Sequence, residues 1–145
     1  MTSLNLEVTR NAQPESRDFI ARKLQEFNAP HLGEHPFGTL DVYVRDADGR
    51  LVGGLVGDFA FGWFSVQVLW ITESLRGTGL GTRILRAAEN AAIENGCHGA
   101  ILDTLTFQAP VFYEKQGYVR VGAVDGYPGG AQRILMRKSL LDTAG

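Results

Sequence analysis

The sequence predicts a mixed α+β fold built on one central, mostly antiparallel sheet. Three observations lead to this prediction. Apolar and polar residues alternate over several short stretches, as they do in half-buried strands. Three other stretches have the periodicity or the opening proline of helices instead. The predicted order, β-α-β-β-β-α-β-α-β-β, starts with a meander, continues through a strand-loop-helix-strand unit and ends in a hairpin.

The first third of the chain supplies the beginning of this order. Residues 4–9 alternate and predict a first strand, and Pro14 suits the first turn of a helix. The apolar face of that helix comprises Phe19, Ile20, Leu24 and Phe27. Residues 28–38 contain two prolines and two glycines, which predict a loop. Residues 39–45 alternate again, and the turn at 46–49 leads into a hairpin.

The rest of the chain predicts the centre and the far edge of the sheet. Residues 51–71 are apolar enough to suggest a membrane span, but Asp58 and four glycines favour two strands, 51–58 and 64–71. A helix at 80–95 ends at a glycine. A buried strand, a short helix and a closing pair of strands are predicted at residues 100–105, 110–116, 118–124 and 132–138.

Length and composition indicate one domain, residues 1–145, with an ordinary soluble composition. The net charge is −2 and no basic tract occurs, which argues against nucleic acid or an anionic membrane as a partner. The single Cys97 excludes an internal disulfide and fits a reducing compartment. The first residues lack the features of a signal peptide, so we expect a cytoplasmic protein.

Residues 76–81, with the sequence Arg-Gly-Thr-Gly-Leu-Gly, lie between a predicted strand and a predicted helix. The start of a helix presents unpaired N–H groups and a partial positive charge, which together suit a phosphate. Glycine lets the backbone approach that phosphate closely and adopt positive φ angles. Arg76 adds a fixed positive charge at the mouth of the turn. This stretch therefore predicts a cradle for a pyrophosphate.

Two nucleotide-binding motifs compete for the same stretch. The P-loop requires a lysine after its last glycine, and the sequence has none there. A dinucleotide-binding fingerprint requires G-x-G-x-x-G, and Thr82 stands where its last glycine belongs. Asp103 lies roughly where that fingerprint needs a ribose-binding acid, which keeps this alternative open. The motif lies mid-chain behind predicted hairpins, however, and too little chain follows it for a doubly wound sheet.

A third pattern, R/Q-x-x-G-x-G/A, is matched in full by Arg76, Gly79 and Gly81. A second motif, A-x-x-x-Y-E-K-x-G-[FY], follows at residues 109–118. The residues that match it are Ala109, Tyr113, Glu114, Lys115, Gly117 and Tyr118. Because both motifs occur in the right order and at the right separation, the chain resembles the GNAT acetyltransferases over about residues 4 to 140.

The resemblance implies a three-layer α/β/α fold whose central sheet splays at a cleft for acetyl-CoA. The pantetheine arm would pair with a strand edge there, and the pyrophosphate would lie on the backbone N–H groups of the glycine stretch. The residues implied for acetyl-CoA binding are Leu69, Trp70, Ile71, Arg76, Gly77, Thr78, Gly79, Leu80, Gly81, Thr82, Gln108, Phe112, Tyr113 and Lys115.

Tyr113 is the candidate general acid, because the resemblance places this tyrosine beside the thioester sulfur. A phenol can protonate a developing thiolate or donate a hydrogen bond to it. The alternative is a half-buried tyrosine whose hydroxyl bonds to some backbone group. Tyr118 begins a predicted strand and is expected in the core.

The general base is left open by the sequence. Some relatives carry a glutamate at the start of the strand before the glycines, but residues 63–67 contain no carboxylate. Asp103 is a second catalytic candidate, since it could position an amine, and an ordinary hydrogen-bond acceptor is the alternative. A water relay without a dedicated base is equally open. The residues expected to border the acceptor are Glu34, His35, Trp63, Asp125 and Tyr127.

His31-Leu32-Gly33-Glu34-His35 also matches H-x-x-E-H, an inverted zinc-protease pattern. That chemistry requires both histidines on one face of a stable helix. Gly33 interrupts the run and Pro36 disfavours helical geometry at His35, so we expect no metal site.

The sequence thus predicts an acetyl-CoA-dependent N-acetyltransferase that transfers the acetyl group directly to an amine, without a covalent enzyme intermediate. The expected acceptor is a small-molecule amine. A non-catalytic acyl-CoA sensor is the alternative, because no base is evident. Small relatives are often dimers, and the resemblance leaves a homodimer open.

Overall fold

The computed structural model describes residues 3–141, and the chain divides into two compact units, residues 1–34 and 35–145. Each unit is described by itself. The first contains one helix, α1 (Pro14–Leu32). Pro14 begins α1 as predicted, because a proline at the first helical position gives up no intrahelical hydrogen bond.

Residues 4–9 form no strand, so that prediction is wrong. Leu4, Leu6 and Val8 are almost fully exposed. Alternation makes a strand only where a neighbouring strand pairs with it and buries one face. The pattern here has neither, and this part of the chain is irregular.

Helix α1 runs further than the sequence predicts, so the loop predicted from residue 28 is wrong over residues 28–32. Pro30 lies inside the last turn, where it removes only one intrahelical hydrogen bond. The helix ends at Gly33, which has a φ of 78° and donates its N–H to the Ala29 carbonyl at 2.8 Å.

The second unit contains a seven-stranded sheet and two helices in the predicted order. Its elements are β1 (Gly38–Thr39), β2 (Val42–Arg45), β3 (Leu51–Ala60), β4 (Trp63–Ile71), α2 (Leu80–Glu94), β5 (Gly99–Leu105), α3 (Pro110–Lys115), β6 (Val119–Val124) and β7 (Arg133–Ser139). The one strand predicted at 39–45 is split at Leu40 and Asp41. The Leu40 N–H donates to the Gly57 carbonyl, and the side chain of Asp41 accepts from the Gly57 N–H in place of a backbone carbonyl.

The order across the sheet is β1-β3-β4-β5-β7-β6, and β2 also pairs with β3. All of these pairs are antiparallel except β4 with β5, which is parallel. The β3–β4 hairpin turns at Phe61 and Gly62, both with positive φ, as a tight two-residue hairpin requires.

Helices α2 and α3 lie on the same face of the sheet, because their buried side chains share one core with alternate residues of the strands. The largest fully buried side chains are Tyr118, Phe64, Leu55, Ile84, Leu85 and Met136. On the opposite face Val56, Val68 and Trp70 are about half exposed. The mixed α+β class and the mostly antiparallel sheet are confirmed, and the third layer stays a prediction.

Candidate active site

Strands β4 and β5 are paired over only part of their lengths. Their parallel register stops at Val66 and Leu102, although β4 continues to Ile71 and β5 to Leu105. Where the strands diverge, a cavity of about 270 Å³ opens, lined by both strands and by the start of α3. The sheet therefore contains an internal cleft.

The pairing of β4 with β3 decides which backbone groups of β4 face that cleft. The Thr72 N–H donates to the Val52 carbonyl at 2.8 Å. Because hydrogen-bonded pairs alternate in an antiparallel ladder, Trp70 also bonds toward β3, whereas Leu69 and Ile71 direct their N–H and C=O groups to the opposite side. An extended ligand can pair with this edge as an added strand would.

Helix α2 begins next to this edge with unpaired N–H groups. Its first intrahelical bond runs from the Arg83 N–H to the Gly79 carbonyl at 3.2 Å, so the N–H groups of Leu80, Gly81 and Thr82 have no acceptor within the helix. No side chain caps this terminus, and its first turn carries no acidic residue. These N–H groups are the donors that an anion requires.

The glycines before α2 have two different physical roles. Gly77 and Gly79 adopt φ angles of 76° and 86°, and a Cβ at either position would meet nothing within 4 Å. A Cβ at Gly81 would instead lie 3.2 Å from the Phe112 ring and 3.4 Å from Ile71. Left-handed backbone shapes the turn, and the absence of a side chain at Gly81 lets the helix pack against α3 and β4.

The polar side chains of this turn bond within the turn. Arg76 Nε donates to the Ile71 carbonyl at 3.0 Å, and Thr78 Oγ1 donates to the Leu75 carbonyl at 2.6 Å. Thr82 Oγ1 accepts from Gln116 Nε2 at 3.0 Å, which ties the end of α3 to the start of α2. The donors left for a ligand are therefore the backbone N–H groups and the remaining N–H groups of the exposed Arg76 guanidinium.

Tyr113 lies on α3, lines the cleft and is only 6% exposed. Burial raises the pKa of its hydroxyl to about 12. Among the described residues the hydroxyl has no hydrogen-bond partner, whereas the Tyr118 hydroxyl donates to Glu89 at 2.8 Å. The two neighbouring tyrosines therefore differ: Tyr118 is a satisfied core residue, as predicted, and Tyr113 holds a proton at the cleft.

Three other residues predicted at the acetyl-CoA site have distinct positions. Gln108 lines the cleft, and its side-chain carbonyl accepts from the Leu105 N–H at 2.7 Å. Phe112 packs against Gly81 and against the Tyr113 ring, with 5.1 Å between the ring centroids. Lys115 is exposed in the last turn of α3. Their contacts with a ligand stay predictions.

Asp103 also lines the cleft, but its side chain forms an ion pair. Arg133 Nη2 donates to Asp103 Oδ2 at 2.7 Å, and Arg133 Nη1 donates to the Tyr127 hydroxyl at 3.4 Å. Asp125, in the same loop as Tyr127, accepts from Gln132 Nε2. The β6–β7 loop therefore brings Tyr127 toward Asp103, whereas Asp125 bonds within its own loop.

Two other predicted acceptor residues of the second unit, Trp63 and His35, do not line the cleft. The Trp63 ring packs at 5.4 Å from His98, with the Arg137 guanidinium 5.5 Å from its centroid, and Trp63 does not line the cleft. Its position gives no support to an acceptor role. The rings of His35 and Phe61 are neighbours, with 6.2 Å between their centroids. Glu34 is exposed and belongs to the first unit.

The sequence analysis missed two polar residues at this site, Arg133 and Gln67. Arg133 meets Asp103 because β7 pairs with β5, and a single sequence carries no signal for that long-range pairing. Gln67 falls at the register shift between β3 and β4, beside the point where β4 leaves β5. Apolar and polar residues alternate through Gln67 over residues 64–68, which conceals this bulge.

Comparisons with known proteins agree with this geometry. Residues 38–120 match the family model of the acetyltransferase (GNAT) domain. The chain belongs to the GNAT acetyltransferases. An acetyltransferase of Agrobacterium fabrum is 33% identical over 135 residues, which span 93% of this chain and 98% of that protein. The blasticidin-S acetyltransferase of Streptomyces morookaense is 38% identical over 77% of this chain and 82% of its own length.

A crystal structure from Agrobacterium tumefaciens, assigned as an acetyltransferase, superposes with a TM-score of 0.85. It is 32% identical and covers 94% of this chain and 99% of its own. The GNAT fold is thus confirmed, and the protein is an acetyltransferase. Among residues 3–141, no helix combines the length and apolar character of a membrane span, and no three metal-ligating side chains cluster.

Proposed function

We propose that this GNAT acetyltransferase transfers an acetyl group from acetyl-CoA to a primary amine of a small molecule. One observation carries the proposal. The proton-bearing hydroxyl of Tyr113 faces a cleft that is bounded by an open strand edge and lies near a bare helix N-terminus. An extended thioester with a pyrophosphate at one end complements all three features.

The chain would hold acetyl-CoA mainly through its backbone. Leu69 and Ile71 offer strand-edge groups to the amides of the pantetheine arm, and the N–H groups of Leu80, Gly81 and Thr82 offer donors to the pyrophosphate. With acetyl-CoA held in this way, its thioester would lie beside Tyr113. The backbone of Trp70 offers nothing to the pantetheine arm, because its N–H and C=O point toward β3.

The transfer itself forms one bond and breaks one. The amine nitrogen bonds to the carbonyl carbon, and the bond between that carbon and sulfur breaks. An amine bound as ammonium first loses one proton to water, which gives the neutral nucleophile. After the attack the nitrogen loses a second proton to water, the sulfur gains one from the Tyr113 hydroxyl, and Tyr113 regains its proton from water. One proton is released overall, so atoms and charges balance. Because its pKa is raised to about 12, Tyr113 carries this proton throughout the neutral range.

We assign deprotonation of the amine to water rather than to Asp103. The carboxylate of Asp103 already accepts a hydrogen bond from the Arg133 guanidinium, whose Nη2 lies 2.7 Å from Oδ2. A carboxylate held in this way can still orient an ammonium group beside the cleft. Asp103 is then a residue that binds the acceptor, and catalysis needs no dedicated base.

Two observations support a small acceptor. The cavities that adjoin the cleft have volumes of about 350 and 450 Å³, within the range of small-ligand sites. In addition, one of the similar proteins is named for acetylating blasticidin S.

The test is thiol release from acetyl-CoA in the presence of a panel of primary amines. We expect Tyr113→Phe to lower kcat by about 100-fold or more, as for loss of a general acid, while the Kd for acetyl-CoA changes little. Tyr43→Phe is the matched control, because Tyr43 is an exposed tyrosine on β2 whose hydroxyl bonds to Asp41. Unchanged turnover in Tyr113→Phe would refute the role of Tyr113.

The alternative, an acyl-CoA sensor, predicts a different result in the same assay. A sensor binds acetyl-CoA and releases no thiol with any amine of the panel. Turnover by the wild-type chain that depends on both the amine and Tyr113 excludes it.

A further inference from the structure

Three cavities with shared lining residues extend from the cleft to the face of the sheet opposite α2 and α3. The first is the cleft itself, the second reaches Ser65 and Ile101, and the third reaches Val124 and Tyr127. Asp103 lines all three. We name this set of three cavities, which reaches from Tyr113 to Tyr127, the acceptor groove.

Asp103 offers an acceptor atom to the part of the groove that is nearest to Tyr113. Oδ2 is bonded to Arg133, and among the described residues nothing donates to Oδ1. The carboxylate is thereby held in place with one oxygen available. An ammonium group is the donor that complements a free carboxylate oxygen, and the amine that reacts must lie in this part of the groove.

Arg133 offers donors to the part that is further from Tyr113. A guanidinium has five N–H donors, and the hydrogen bonds of Arg133 to Asp103 and Tyr127 engage two of them. The side chain is 50% exposed and lines both outer cavities. The other residues of the third cavity are mostly apolar, including Ala123, Val124 and Leu135. Carboxylates are the partners that best match a guanidinium fork.

Two neighbouring carboxylates, Asp58 and Asp125, do not change this pattern, because neither lines any of the three cavities. Asp58 Oδ2 accepts from Gln67 Nε2 at 2.7 Å, and Asp125 accepts from Gln132. Along the groove the available groups are thus an acceptor beside the cleft and a set of donors beyond it.

We infer that the acceptor is an amine that also carries a carboxylate, with its ammonium group on Asp103 and its carboxylate on Arg133. This inference rests on the proposed function, since it identifies the substrate class of the same site. In the bound complex the four charges alternate in sign along the groove. A simple alkylamine engages only Asp103 and leaves the spare donors of Arg133 to water.

The test compares amines that differ only in the carboxylate. Hexylamine is compared with 6-aminohexanoate, and butylamine with 4-aminobutyrate, by thiol release at saturating acetyl-CoA. We expect kcat/KM to be about tenfold higher or more for the carboxylated member of at least one pair, as for one charge-assisted hydrogen bond. Equal kcat/KM values within both pairs overturn the inference.

Variants then locate the source of the preference. Arg133→Gln is expected to bring each pair to within about twofold by raising KM for the carboxylated amine alone. Arg133→Lys, which keeps the charge but loses the fork, is expected to retain part of the preference. The matched control is Arg137→Gln, because Arg137 lies on the same strand and face but stacks on Trp63.

Asp103→Asn is expected to raise KM equally for both members of a pair, with little change in the Kd for acetyl-CoA. A preference that survives in Arg133→Gln, or a preference lost equally in Arg137→Gln, overturns the assignment to Arg133.

Circular dichroism melts show whether each variant is folded, and the wild-type comparison does not depend on them. If acetyl-CoA itself does not bind, the proposed function fails; if hexylamine is acetylated without any preference, only this inference fails.

Discussion

The two halves of the site are built in opposite ways. The proposed acetyl-CoA side is a run of adjacent residues whose backbone N–H groups and left-handed glycines would form the binding surface. The acceptor groove consists of side chains from separate strands and a loop, with Asp103 on β5 and Arg133 on β7. If both proposals hold, this contrast indicates that a ligand shared by a family can be bound by the backbone. Selectivity for one acceptor then depends on side-chain contacts between residues that are far apart in the sequence.

If this comparison is right, the acetyl-CoA side is sensitive to backbone changes and tolerant of side-chain changes. The largest effect is expected for Gly79→Val, which should weaken acetyl-CoA binding by about tenfold or more. A residue with a Cβ pays about 1–2 kcal/mol to adopt the left-handed conformation that Gly79 has. A change of 1.4 kcal/mol corresponds to a tenfold change in affinity. Isothermal titration calorimetry measures the change.

The control for that prediction is Gly49→Val. Gly49 has a φ of 81°, close to the 86° of Gly79, and both have open space around a Cβ. It lies in the β2–β3 turn, so it carries the same backbone strain away from the cradle. An equal loss of affinity in both variants would show that strain, and not the cradle, is responsible.

The next effect is expected for Gly81→Leu, where packing rather than φ is the constraint. A Cβ there would press on the Phe112 ring at 3.2 Å. We predict a loss of about 1–3 kcal/mol in the free energy of unfolding, as for other overpacked positions. Urea denaturation measures it, and a stability equal to that of wild type would mean that α2 and α3 are not in close contact.

A smaller effect is expected for Thr78→Val. The Thr78 hydroxyl bonds to Leu75 within the turn, so its loss should change acetyl-CoA affinity by less than about threefold. Competition binding with CoA measures this. A tenfold loss would show that the hydroxyl contacts the ligand, which contradicts a cradle built from backbone.

No effect of Tyr113 ionisation is expected on the pH profile between pH 7 and 10. Burial raises the pKa of Tyr113 to about 12, so the proton that it donates is retained to higher pH than in an ordinary tyrosine with a pKa near 10. The value of kcat/KM should therefore rise over this range as the free amine increases. A fall near pH 10 that is absent from Tyr113→Phe contradicts this prediction.

The sequence predicts best what depends on local pattern. The boundaries of α2 differ from the prediction by a single residue, and the turn at Phe61 and Gly62 lies between the two strands predicted at 51–58 and 64–71. The predicted strand at 4–9 failed because alternation alone does not supply a partner. The predicted end of α1 was wrong because Pro30, in the last turn, removes only one intrahelical hydrogen bond.

The candidate site also contains residues that local sequence pattern predicts and residues that it does not. The glycine stretch was visible because its residues are consecutive, and Tyr113 was visible because a family motif surrounds it. Arg133 was not visible, since its pairing with Asp103 joins residues that are 30 positions apart. Trp63 was expected near the acceptor because hairpin aromatics are often exposed, but Arg137 and His98 pack against its ring.

Calorimetric titration of the purified protein with acetyl-CoA, with NAD as the control, tests the central claim most directly. The claim is that the start of α2 and the open edge of β4 bind the pyrophosphate and the pantetheine arm. The predicted result is one-to-one binding of acetyl-CoA and no binding of NAD. Binding of NAD alone, or of neither, would contradict the claim and leave Gly77 and Gly79 as residues of an ordinary turn.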